Sequence, residues 1–159
     1  VPRITKTQVA ESIPFDNDGN GFDSDNVQEA IEEIGASASP GFSFGREGSS
    51  GNGTWLRRVG NIESNRTGVA IPISNPRITR ISCGTENVAT YDVGVYEHEG
   101  NSINLTLLTT VSVISSRFET FTVDIAATEG KQLAVRCLNP SAGNPNNLGV
   151  DIVLSGGSD

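Results

Sequence analysis

Apolar residues along this chain recur with two different periods, and the change of period divides it. Val27, Ala30, Ile31 and Ile34 fall at i, i+3, i+4 and i+7, one stripe of a short helix, with Glu29, Glu32 and Glu33 off the stripe. Ser24 or Asp25 can cap that helix, Gln28 stands where a capping box needs it after Asp25, and Gly35 supplies a left-handed stop. A helix of two to three turns is marginal in water, so the stripe must bury itself. Its own domain is one surface for that. The a/d-like spacing favours the other, self-association or docking on a partner.

From Thr54 onward the period is two. Trp55, Arg57 and Val59 share a face, as do Val69, Ile71 and Ile73, with Pro72 pointing that segment to a sheet edge. Ile81 with Cys83, Tyr91 with Val93 and Val95, and Ile103 with Leu105 and Leu107 continue the pattern. Phe121 with Val123 and Ile125, Leu133 with Val135 and Cys137, and Val150 with Ile152 and Leu154 complete it. Turn clusters separate these runs at Ser74–Pro76, CGTEN, HEGN, TEGK and Asn139–Asn147. About eight strands at regular spacing, with no helical period between them, predict an antiparallel β-sandwich or jelly roll over 54–159.

Val1 to Pro14 shows neither period, and Pro2 and Pro14 disfavour a helix, so an extended arm is expected. Arm and helix together make an attachment segment over 1–35. The Gly/Ser-rich stretch 36–53 is predicted as a flexible linker, in which Phe42 and Phe44 form a short strand or pack on the domain edge.

Composition narrows the function. The chain has 159 residues, 35% of them apolar, and a net charge of −8. That balance argues against nucleic acid and anionic membranes, both of which need basic patches. No apolar run is long enough to span a membrane, and no signal-peptide pattern opens the chain, so synthesis in a cytoplasm is expected. Cys83 and Cys137 fit no zinc or redox spacing; they read as two buried reduced thiols or as a disulfide between neighbouring strands.

Catalysis is not expected, and neither is a cofactor. The single histidine, His98, lies between Glu97 and Glu99; neighbours alternate faces on a strand, so the three cannot converge on one metal, and a solvated strand end is expected there. Asp16, Asp18, Asn20 and Gly21 match the start of an EF-hand loop, with Asp23 or Asp25 as a further carboxylate. The twelfth position is Val27 instead of Glu, and Pro14 precludes a preceding helix, so a turn without calcium is expected.

The stretch Phe15, Asp16, Asn17, Asn20, Gly21, Phe22, Asn26, Val27, Gln28, Ala30 and Ile31 resembles a segment that recurs in bacteriophage tail-fibre and other virion appendage proteins. There an aromatic-Asp-Asn turn leads into an N-V-Q-x-A-I helix, near the particle-proximal end and usually in trimers. The resemblance implies a non-enzymatic virion structural protein of head-fibre or decoration type. Such a protein is a homotrimer, made in the host cytoplasm and held to capsid or tail proteins by its N-terminal arm. The alternative is a tail-fibre adhesin that binds receptor or carbohydrate, with Tyr91 or Tyr96, Trp55 and the polar loops contacting host surface glycan.

Overall fold

The computed structural model describes residues 13–14, 26–31, 39–58, 62–65, 70–100, 104–141 and 143–156. The chain divides into two units, Val1–Ala38 and Ser39–Asp159.

In the first unit Pro14 and Asn26 form an antiparallel bridge, and Val27 N donates to Ile13 O at 3.1 Å. This pairing holds residue 26 extended, so the helix, α1, begins at 27 and is described to 31. Its cap is therefore Asn26, not Ser24 or Asp25. Glu29 N donates to Asn26 Oδ1 at 3.0 Å, and Ala30 N to Asn26 O at 3.0 Å. Of the stripe, Ala30 is buried, Val27 half-buried and Ile31 57% exposed. Ile34 lies outside the described residues, as do Asp16, Asp18, Asn20, Asp23 and Asp25 of the acidic turn.

The second unit is antiparallel β throughout its described strands. These are β1 (Gly41–Ser49), β2 (Arg57–Arg58), β3 (Ile62–Glu63), β4 (Pro76–His98), β5 (Thr106–Ala126), β6 (Gln132–Ser141) and β7 (Asn146–Gly156). They run in the order β3-β2-β1-β7-β4-β5, with β6 also on β4. β4 serves two neighbours along one edge. Its first half pairs with β7 (Ile81 with Ile152, Cys83 with Val150) and its second with β6 (Val93 with Cys137, Val95 with Val135). β5 follows β4 along the other edge. The register slips between Gly84 and Tyr91, and Ser115 opposite takes φ 49°, so both long strands bend there. The two halves become two sandwich-like layers around one core. Phe42, Phe44, Ile81, Cys83 and Ile152 of one layer join Tyr91, Val93, Val113, Val135 and Cys137 of the other in a single buried cluster.

Two expectations change here. The stretch 36–53 is not a linker throughout: β1 occupies Gly41–Ser49, pairing Phe42 with Ile152 and Phe44 with Val150, and both aromatic rings are buried. The Gly/Ser run beyond it is ordered too, for Gly48 N donates to Asn147 Oδ1, Ser50 N to Pro145 O and Gly53 N to Cys137 O. Glycine here permits turns, with φ 75° at Gly48 and 81° at Gly53, instead of providing slack. CGTEN is the second change, since it is a bend within β4 and not a turn between strands. Both cysteines are free and buried. Burial pushes their thiols up, Cys83 to about 12 with Glu119, Asp151 and Cys137 adding to the effect, and Cys137 to about 11 with help from Asp92.

Candidate functional site

Alternation along the second half of β4 decides which side chains leave the core. Tyr91, Val93 and Val95 point inward, so Asp92, Gly94 and Tyr96 point outward. Tyr91 is therefore removed from the candidate contact residues: it is 1% exposed, and burial raises its hydroxyl pKa well above the ordinary value. Tyr96 remains, half-buried, on the outer face.

Trp55 joins it from a distant stretch of sequence. Residues 54–56 pass alongside β6, with Cys137 N donating to Thr54 O, Leu56 N to Val135 O, and Trp55 bridging to Arg136. Leu56 enters the core at 0% exposure, so Trp55 must face out. Its ring meets Tyr96 edge-on, with centroids 5.3 Å apart and an interplanar angle of 66°. The Arg136 guanidinium lies 5.0 Å over the Trp55 ring, steered by a 2.9 Å bond from Nε to Gly53 O. Beside the rings Asn139 Nδ2 donates to Asp92 Oδ2 at 2.9 Å, and Asn139 N donates to Asn52 Oδ1 at 2.9 Å. Thr110 and Ser112 of β5 lie opposite Gly94 and Asp92 and are exposed. One face of one layer thus carries two aromatic rings, a guanidinium, a carboxylate and several amides and hydroxyls. Rings offer stacking surface to C–H groups, and the polar groups offer fixed donors and acceptors around them. Trp55 and Tyr96 stand out separately along the chain; Arg136, Asp92 and Asn139 carry no signal until the strands are paired.

Glu97 and His98 are more buried than a solvated strand end, while Glu99 is exposed. Glu97 is 6% exposed and His98 2%, because β4 ends against the 128–131 turn and residue 64. Glu97 accepts bonds from Thr128 N (3.0 Å), Thr128 Oγ1 (3.1 Å) and Lys131 Nζ (3.4 Å). His98 places Nδ1 2.9 Å from Gly100 O and Nε2 3.0 Å from Ser64 O. Glu97, His98 and Lys131, with Glu99, Asn104 and Thr106, line a cleft of about 210 Å3. Their polar atoms are occupied in tying loops to the strand end, and among the described residues no three potential ligands gather for a metal. Among the described residues no helix is long and apolar enough to cross a membrane.

No family model and no curated protein matches the chain. Among solved structures the chain is similar to the N-terminal cellulose-binding domain of Cellulomonas fimi beta-1,4-glucanase C. Identity is 18%, coverage is 74% of this chain and 80% of that chain, and the TM-score is 0.38.

Proposed function

We propose that this chain is a non-enzymatic attachment protein whose β-sandwich binds glycan through the Trp55–Tyr96 face. The observation that carries this is the pair itself: two distant stretches bring half-buried rings 5.3 Å apart on an outward sheet face, next to polar groups. A ring that serves only packing goes inward, as Tyr91 does. Binding a sugar needs ring surface together with fixed polar groups, which Arg136, Asp92 and Asn139 supply. Screening the protein against an array of immobilised glycans tests the proposal. Binding to a related set of glycans, lost in Trp55→Ala, is expected; no binding to any of them counts against it.

A second reading, the virion structural role, draws on the N-terminal segment. Its resemblance to phage appendage proteins supports attachment to a particle through 1–35, with the sandwich displayed outward. The 57% exposure of Ile31 favours this, because that position of the stripe is left open for a second surface although Ala30 is buried. Deleting residues 1–14 is expected to leave the sandwich folded and to abolish incorporation into particles.

A further inference from the structure

We infer that the free edge of β5 pairs antiparallel with the same edge of a second copy, about a two-fold axis through Val111. β5 is hydrogen-bonded to β4 along one side, and among the described residues no strand lies on its other side. The remaining sheet borders are blunted. Among the described residues β3 has two, and beyond β6 there are only the single bridges at Trp55 and Ala70. β5 has 21 residues; it bulges between Leu107 and Thr109 and bends at Ser115, but no proline, glycine or lysine interrupts it. Leu107 is 52% exposed and Ile114 70%. An edge of this length and composition is a template for strand addition.

Charge decides the occupant. The chain carries −8, so two copies repel over most of their surface. Thr106 to Ser116 contains no charged residue, and Arg117 and Glu119 follow directly. That uncharged run is symmetric about Val111. With the axis there, the regular stretch Thr109 to Val113 pairs with itself, and the residues flanking it within the run bring no charge to the seam. Thr110 falls opposite Ser112 of the partner subunit, and the exposed Ile114 is drawn against the partner's edge. Sliding the axis toward the C-terminus brings Arg117 and then Glu119 into the ladder. An axis of this kind stands perpendicular to the sheet, so both copies turn the Trp55–Tyr96 face to the same side. Two platforms then share one continuous sheet surface, which suits bivalent capture. The pairing itself does not depend on what those platforms bind.

The test is the mass of the full chain by sedimentation equilibrium at tens of micromolar. Twice the 16.7 kDa of one chain is expected. Thr110 and Ser112 are exposed, so substitutions there leave the core intact, and circular dichroism checks this. Thr110→Asp with Ser112→Asp places four carboxylates together across the axis and is expected to give a monomer. Thr110→Lys with Ser112→Asp sets each introduced lysine opposite an introduced aspartate of the partner, and is expected to keep the dimer. A monomeric parent chain overturns the inference. So does a dimer or trimer that the double aspartate leaves unchanged, which would move self-association elsewhere, for example to the 27–34 stripe. A monomer from the lysine–aspartate pair would overturn the antiparallel register.

Discussion

Gly94 lies under the ring of Tyr96: a Cβ added at 94 would stand 2.8 Å from Tyr96 Cε2 and 3.0 Å from Leu138 Cδ1. The absence of a side chain at 94 lets the ring lie along the sheet toward Trp55 instead of standing away from it. Gly94→Ala is therefore expected to lift Tyr96 off the sheet and open the 5.3 Å contact with Trp55. Because the chain has a single tryptophan, its emission reports this directly, and a red shift on substitution is expected. Forcing a methyl into a packed site costs about 1–3 kcal/mol, read from urea denaturation. Unchanged emission would mean that the ring does not depend on the glycine.

Glu97 is buried and satisfied by three donors, two of them from Thr128. Glu97→Ala leaves Thr128 N and the partly buried Lys131 ammonium without their acceptor. It is expected to destabilise the fold by about 2–4 kcal/mol in urea unfolding. Glu97→Gln keeps the shape and some acceptor capacity, so it should cost less. If the cleft were catalytic and not structural, both substitutions would leave the unfolding midpoint near that of the parent.

The thiols set an alkaline limit. Cys83 and Cys137 have folded pKa values raised to about 12 and about 11 from an ordinary value of 9.0. Ionisation is thus easier in the unfolded chain. Their contribution is fully present below about pH 9 and is lost as pH rises toward the folded values. Stability measured in urea is expected to fall between about pH 9 and 11, and to fall less steeply in the Cys83→Ala, Cys137→Ala double variant. In the folded protein at neutral pH neither thiol should react with iodoacetamide, because both are buried and protonated.

Much of the second unit was legible because its strands alternate cleanly. Tyr91 shares parity with Val93 and Val95, and its burial follows from that alone; Tyr96, five residues on, has the opposite parity and faces out. What local pattern conceals is continuity. Gly84 to Asn87 has the composition of a turn, yet β4 runs through it, because β7 and β6 take over from one another on the same edge. The Gly/Ser stretch reads as slack for a similar reason: β1 has only two large apolar residues, Phe42 and Phe44, and both are fixed by pairing with β7, more than 100 residues away. The helix cap was displaced by a long-range contact as well, the bridge between Pro14 and Asn26. The site was half legible. Aromatic residues stand out in a chain with one tryptophan and two tyrosines, whereas Arg136 and Asp92 look like any other polar strand positions until Trp55 and Leu138 are set beside them.

The glycan-binding face is tested most directly by the fluorescence of Trp55, the chain's one tryptophan. The full chain is titrated with soluble neutral oligosaccharides built from glucose, galactose or N-acetylglucosamine. A saturable change in emission is expected with at least one of them. Its midpoint should move to about tenfold higher concentration in Tyr96→Ala, the loss of about 1.4 kcal/mol that one stacking partner represents. Calorimetry on Trp55→Ala should show a comparable loss for the same sugar. If a sugar bound in calorimetry with no change in Trp55 emission and undiminished affinity in Trp55→Ala and Tyr96→Ala, the face would not be its site. If none of the sugars bound, the central claim would be contradicted.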